Sequence, residues 1–177
     1  MMEPKRVSAL KSLLFSGPPA TVFAILDGAS VPGLPVKLAS FNPEHICLFR
    51  GPLEPDMAEV APYLTILEEH APFTDWALTH GWGKHWCIFG CTQAHLPALR
   101  KHFRRFLTVY DETGKSRYFR YYDPRVLRVY LHGCDAGQLQ VSFGPVDWFL
   151  VEDVEPRGVR KFILANNALR EDRMSLW

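Results

Sequence analysis

The stretch RYFRYYDPRVL, residues 117–127, decides the fold prediction because it joins a strand pattern to a helix start. In a strand, successive side chains point to opposite faces. Phe119 and Tyr121 are therefore expected in the core, and Arg120 and Tyr122 on the opposite face, towards the surface. The segment predicts a strand whose aromatic and basic side chains collect at a sharp junction.

The second half of this stretch predicts the beginning of a helix. The Asp123 carboxylate can accept hydrogen bonds from the unpaired N–H groups of the first helical turn. Pro124 suits the first helical position, where no N–H is needed. Apolar residues continue at helical spacing up to Gly133, which ends the predicted helix.

Length and composition limit the possible classes of protein. A chain of 177 residues, with 47% hydrophobic and 22% charged residues, fits one globular domain over residues 1–177. The net charge of +1 gives no overall field that favours nucleic acid or a membrane. Residues 7–15 contain Lys11 and are predicted as a helix of the domain instead of a signal peptide. Four cysteines in this length indicate a cytoplasmic protein with reduced thiols.

Strand and helix patterns alternate along the chain, and several neighbouring strands form hairpins. This combination predicts an α+β (mixed α/β) fold, with a mixed, partly antiparallel sheet flanked by helices. Helices are predicted over residues 5–15, 32–41, 72–79, 93–106 (capped by Thr92) and 124–133. Strands are predicted over residues 21–26, 45–49, 62–67, 85–89, 107–110, 118–122, 146–151 and 158–164. Residues 138–143 fit a helix or a strand, an acidic turn around Asp153, Glu155 and Pro156 joins the last two strands, and residues 166–177 fit a frayed helix.

A His-x-Cys-x3-Cys-x3-His pattern suggests one possible enzyme site. His85, Cys87, Cys91 and His95 are ligand types that could hold zinc, and with Asp27 they suggest a small metal-dependent hydrolase. No second ligand pair completes a usual zinc motif, and Cys87 is more simply a small buried residue. Asp27 follows an apolar strand without a visible partner. We therefore predict no catalytic residue, no metal and no cofactor.

Arginines interleave with aromatic residues between positions 100 and 128. They could stack on bases and pair with phosphates, which leaves a nucleic-acid-binding module as another alternative. The competing interpretation is a solvated helix face, with arginines paired to Asp111, Glu112 and Asp123. The balanced net charge favours this second interpretation over nucleic acid. Protein recognition also fits, because Arg, Tyr and Trp are the residues that most often anchor interfaces.

Four segments, FAILDGA (23–29), APYL (61–64), FRYYDPRVL (119–127) and FGP (143–145), occur in this order. Together they resemble the type VI secretion effector-chaperone (adaptor) family, long catalogued as a domain of unknown function. The resemblance covers residues 20–150 and leaves a short C-terminal hairpin and tail over residues 146–177. FRYYDPRVL is its most specific part.

The resemblance implies a non-enzymatic function in the cytoplasm. Members of that family look like adaptors that hold a toxin effector and help load it onto the valine–glycine-repeat spike protein. The expected partners are thus an effector, a spike protein or both, without nucleic acid or membrane. The residues predicted to bind the partner are Arg120, Tyr122, Asp123, Arg125, Trp82 and Trp86. If Arg120 serves only to contact the partner, Arg120→Ala is expected to leave stability nearly unchanged and to weaken partner binding.

Overall fold

The computed structural model describes residues 2–155 and 158–176, and it confirms the α+β fold class. The strands are β1 (Thr21–Asp27), β2 (His45–Cys47), β3 (Pro62–Leu67), β4 (Cys87–Thr92), β5 (Thr108–Tyr110), β6 (Ser116–Tyr118), β7 (Val146–Glu152), β8 (Gly158–Ala165) and β9 (Ala168–Ser175). The helices are α1 (Pro4–Phe15), α2 (Leu34–Phe41), α3 (Pro55–Val60), α4 (Pro72–Gly81), α5 (Leu96–Arg104), α6 (Pro124–Gly133) and α7 (Ala136–Phe143).

The main sheet has seven strands in the order β2-β3-β1-β4-β7-β8-β9, and each pairing between them is antiparallel. β5 and β6 form a separate hairpin. Within the described residues, no helix has both the length and the apolar composition that crossing a bilayer requires. β1 lies inside the sheet, so its two edges are paired with β3 and β4, and its apolar run is buried on both faces.

Side-chain alternation along β1 divides the core into two layers. Val22, Ala24 and Leu26 pack in one cluster with buried residues of α1, α2 and α4. Phe23 and Ile25 point to the opposite face and pack with buried residues of α5, α6 and α7. The sheet is therefore the middle layer between two sets of helices. Asp27 has the same parity as Phe23 and Ile25, so its carboxylate faces the α5–α7 side.

The predicted strand over residues 118–122 is shorter in the structure, where β6 ends at Tyr118. After it the chain turns, and the N–H of Asp123 donates to the carbonyl of Arg120 at 3.1 Å. Tyr121 and Tyr122 are consequently both buried, instead of alternating between core and surface. The expectation that Tyr122 reaches the surface is wrong, because the alternation on which it depended stops before this residue.

The prediction that Thr92 caps the following helix is also wrong. Thr92 is the last residue of β4, where its hydroxyl donates to the carbonyl of Pro145 at 2.6 Å. The same oxygen accepts from the N–H of Ala94, and α5 begins only at Leu96. His85 also lies outside β4, with a positive φ of 60°. The strand is thus shifted towards the C-terminus relative to the prediction.

The C-terminal tail is a strand and not the predicted frayed helix. Asn166 and Asn167 both have positive φ, at 51° and 62°, which is the backbone of a tight two-residue hairpin turn. This turn folds β9 back onto β8, with Leu164 opposite Leu169. The predicted hairpin of β7 and β8 is confirmed, and residues 138–143 belong to α7. Pro156 of the predicted acidic turn and Trp177 of the tail lie outside the described residues.

His102 is a buried titratable group in the helix layer of α5–α7. Its Nε2–H donates to the carbonyl of Ser142 at 3.1 Å, and its Nδ1 accepts from Arg105 at 3.3 Å. Burial lowers the pKa of His102 to about 4, although the bond to Ser142 acts in the opposite direction. The folded chain therefore holds this imidazole neutral at pH values where an exposed histidine is already charged.

We predict that stability falls as the pH decreases from about 6.5 towards 4, because the unfolded chain protonates at its ordinary pKa while folded His102 does not. The free energy of unfolding, measured with urea across this range, should depend less on pH in His102→Gln than in the wild type. The control His70→Gln removes an exposed imidazole and should keep the wild-type dependence. Equal pH dependence in His102→Gln and wild type would contradict this assignment.

Candidate partner-binding site

Charged residues meet at one end of the main sheet, where β1 ends, β4 begins and β7 ends. The antiparallel registers bring these ends together, with Leu26 opposite Cys87 and Phe89 opposite Leu150. The N-terminus of α6 packs against the same end. We call this the charged end. It consists of the side chains of Asp27, Arg120, Asp123, Arg125, Arg128 and Glu152.

Asp27 is the most deeply buried member of the charged end, with 0% of its surface exposed. Its carboxylate accepts from the Ser30 hydroxyl at 2.6 Å, from the Ala29 N–H at 3.2 Å and from Nη2 of Arg120. The sequence alone did not indicate a partner for Asp27. Its main partner lies 93 residues further along the chain, where no local pattern could indicate it.

Gly28 allows another part of the chain to approach closely beside Asp27. A Cβ atom at this position would lie 2.5 Å from the carbonyl oxygens of Glu59 and Ala61. The Gly28 N–H donates to the Ala61 carbonyl at 3.1 Å. The Asp-Gly pair at the end of β1 thus combines a paired carboxylate with a position that only glycine fits without a shift of the backbone.

The two tyrosines before Asp123 pack inward. Tyr121 stacks on Phe103, with ring centroids 5.8 Å apart, and its hydroxyl donates to the Phe103 carbonyl at 3.0 Å. Tyr122 is only 1% exposed, and its hydroxyl lies 3.4 Å from that of Tyr118. Tyr122 is thus a buried residue that supports the residues around it, and its side chain is not available to contact a partner.

The predicted cap of α6 is confirmed. The Asp123 carboxylate accepts from the N–H of Arg125 at 2.9 Å, and Pro124 is the first residue of the helix. The Arg125 guanidinium also donates to this carboxylate, at 2.7 Å. Burial raises the pKa of Asp123, but the hydrogen bonds and charge of Arg125 outweigh this effect and hold that pKa below its usual value. Asp123 is therefore ionised at neutral pH.

Glu152, which sequence reasoning missed, fixes the loop that carries Trp82 and Trp86. Its buried carboxylate accepts from the N–H groups of Gly83 at 2.5 Å and His85 at 3.0 Å, and it contacts the His85 ring. Its main-chain carbonyl accepts from Arg128. Alternation from the buried Leu150 could have indicated that Glu152 also points inward.

The two tryptophans of this loop pack against the core and are partly exposed. Trp82 stacks on Phe89 with ring centroids 6.2 Å apart, and Trp86 packs on Trp76 at 5.4 Å. The Trp86 carbonyl accepts from the N–H of Asp27 at 2.8 Å, which ties the loop to β1. The structure therefore places Trp82 and Trp86 at the same end of the sheet as the four residues predicted from the 117–127 stretch.

The residues of the metal hypothesis are engaged separately. Asp27 pairs with Arg120, His85 with Glu152, and the Cys87 thiol lies in the core, where burial raises its pKa. Within residues 2–155 and 158–176, no three His, Cys, Asp or Glu side chains are grouped closely enough to hold a metal ion. The His-x-Cys-x3-Cys-x3-His spacing thus does not produce a ligand cluster there.

The predicted pairing of arginines with nearby acids is confirmed at two positions. Arg117 pairs with Asp111 at 2.9 Å, and Arg125 pairs with Asp123. Arg128 is buried, so it does not belong to the predicted basic surface. Most arginines between positions 117 and 128 therefore bind other groups of the same chain.

The model of the family described as Domain of unknown function (DUF4123) matches residues 22–141. The match includes β1 from its second residue onwards, the loop before β4 and the whole 117–127 stretch. No curated protein and no solved structure matched the chain. Because the matched region covers more than half of the sequence, the chain belongs to this family.

The Asp27–Arg120 pair changes the expectation for Arg120→Ala. Removing the guanidinium leaves a buried carboxylate with only two neutral donors, so we predict a loss of about 1.5–3 kcal/mol in the free energy of unfolding. Arg117→Ala is the matched control, since it removes an exposed pair with Asp111 and should cost less than about 1 kcal/mol. Urea denaturation at pH 7 measures both values. Equal losses in the two variants would show that Asp27 does not depend on Arg120.

Proposed function

We propose that this member of the DUF4123 family is a non-enzymatic adaptor of type VI secretion. In this proposal it binds a toxin effector in the cytoplasm and helps load the effector onto the valine–glycine-repeat spike protein. The secretion role rests on the resemblance carried by FAILDGA, APYL, FRYYDPRVL and FGP. The first three of these segments lie within the region that the family model matches, and FGP lies just after it.

The observation that carries the non-enzymatic part of the proposal is the state of the buried carboxylates. Asp27, Asp123 and Glu152 are each bonded to arginine, histidine or backbone N–H groups of the chain. A general acid or base must instead be within reach of a proton on the substrate. Carboxylates that are satisfied in this way act as structural links, which favours a scaffold that presents a binding surface.

Two arginines of the charged end keep part of their side chain available to a partner. The Arg120 side chain is 42% exposed and the Arg125 side chain 56% exposed, although both pair with an aspartate. A guanidinium has five N–H donors, so one that already pairs can also bond to a partner. Arg120, Arg125 and the partly exposed Trp82 and Trp86 remain the predicted contacts. Asp123 holds Arg125, Tyr122 supports Arg120, and Glu152 fixes the loop that carries the two tryptophans.

Co-purification tests the proposal directly. The tagged chain should be co-expressed with the effector and spike proteins encoded next to its gene, and we expect one of them to elute with it. Arg125→Ala should weaken this complex by about tenfold, because an interface arginine often contributes more than 1 kcal/mol. Lys5→Ala, an exposed substitution on α1, should leave the complex unchanged. A folded wild-type chain that retains neither protein would contradict the proposal.

A further inference from the structure

A groove outside the charged end combines exposed apolar side chains with arginines. It lies between α3, the segment after β2, the end of α5 and the β5–β6 hairpin, and it encloses about 590 Å³. We call it the arginine groove. The residues that define it are Arg50, Met57, Arg104, Arg105, Tyr110 and Tyr118. Tyr118 links it to the charged end, because its hydroxyl faces that of Tyr122.

Exposed apolar side chains are concentrated on two of the elements that border this groove. Nine large apolar side chains are exposed among the described residues, and five of them lie on α3 or on the β5–β6 hairpin. They are Met57, Val60, Val109, Tyr110 and Tyr118. Tyr110 is the most exposed of the five, at 74%, while Tyr118 packs edge-on against Phe49. Of these five, Met57, Tyr110 and Tyr118 line the groove itself. Exposed apolar side chains that share a groove mark a binding surface more often than isolated ones do.

The arginines of the groove have no carboxylate partner in the described part of the chain. Arg104 donates to the carbonyls of Cys47, Leu48 and Phe49, which holds its guanidinium at the groove wall. No salt bridge joins Arg50, Arg104 or Arg105 to a carboxylate of the described residues. This contrasts with the charged end, where Arg120 and Arg125 each have an aspartate.

Like charges crowd together at this wall. Burial lowers the pKa of Arg104, and repulsion from Arg100 and Arg50 lowers it further. An anion bound in the groove would relieve this repulsion, which gives the groove a physical preference for a negatively charged ligand.

We infer that the arginine groove binds an acidic peptide segment that inserts an apolar side chain between Met57 and Tyr110. Carboxylates of the segment would pair with Arg50 and Arg105, which are exposed. The apolar side chain would cover the exposed surface of α3 and the hairpin. The inference rests on the proposed function, from which it takes that the partner is a protein. It adds the chemistry of the partner segment that the groove would bind.

Nearby acidic residues favour a peptide over nucleic acid as the ligand. Glu54, Asp56 and Glu59 are exposed on or beside α3, and Glu112 lies in the turn of the β5–β6 hairpin. A continuous phosphate backbone extending beyond the groove would meet these carboxylates and be repelled. A short segment with a few acidic residues and an apolar anchor can pair with the arginines and avoid them.

Selection from a random peptide library displayed on phage tests the inference without a known partner. The bait is the full-length wild-type chain, and enriched peptides are synthesised with a fluorescent label for anisotropy measurements. We expect enriched sequences to combine Asp or Glu with Leu, Ile, Phe or Trp. The double substitution Arg50→Glu/Arg105→Glu should weaken their binding at least about tenfold, since close interfacial charge pairs contribute more than 1.4 kcal/mol. Lys5→Glu should leave their binding unchanged.

Met57→Glu provides a second test at an exposed position of α3, and it leaves the groove arginines unchanged. It should also weaken peptide binding at least about tenfold, because it places a charge where the apolar anchor packs. Circular dichroism confirms that each variant is folded before binding is measured. Enrichment of neutral or basic peptides, or unchanged binding in the folded charge-reversal variant, would overturn the inference. So would tighter binding of a labelled 20-nucleotide single-stranded DNA than of any enriched peptide.

The same variants separate this inference from the proposed function. If the partner that the wild-type chain retains still co-purifies with Arg50→Glu/Arg105→Glu at the wild-type level, the groove is not the partner site and the inference fails, while the adaptor function stands. If acidic peptides bind as expected but neither effector nor spike is retained, the groove assignment stands and the secretion role fails.

Discussion

The ion pair between Asp27 and Arg120 is the interaction on which the rest of this end of the molecule depends. Taking a carboxylate out of water costs several kcal/mol unless it is paired and hydrogen-bonded, and Asp27 is fully buried at the end of a central strand. Arg120 meets this requirement from the turn between the β5–β6 hairpin and α6. The pair therefore fixes the 117–127 stretch against the sheet and sets where α6 begins.

Local patterns predicted the parts of the fold whose causes are local. The Asp123 cap, Pro124 at the first helical position, the strand at residues 21–26 and the hairpin of β7 and β8 follow from residue spacing. Partners distant in sequence could not be predicted, which is why Asp27 appeared unpaired and Glu152 was overlooked. Tyr122 was misplaced because a turn replaced the expected strand, and β9 was missed because two asparagines form its hairpin turn.

Arginines serve two different purposes in this chain. At the charged end they neutralise buried or partly buried carboxylates, and their main effect is on the stability of the junction between sheet and helix. In the arginine groove they lack acidic partners and adjoin exposed apolar side chains. Composition alone could not separate these two sets, because the net charge of +1 averages over both. The difference matters for function, since the second set has no carboxylate partner in the described part of the chain and its charge is left for an anionic partner to neutralise.

A double-mutant cycle on the central ion pair tests this account most directly. The free energy of unfolding is measured by urea denaturation for the wild type, Asp27→Asn, Arg120→Met and the double variant. If the two side chains support each other as the structure indicates, the double variant should lose less stability than the sum of the single losses, by about 1.5 kcal/mol or more. Losses that add within about 0.5 kcal/mol would contradict the account, because residues that do not interact behave in this way.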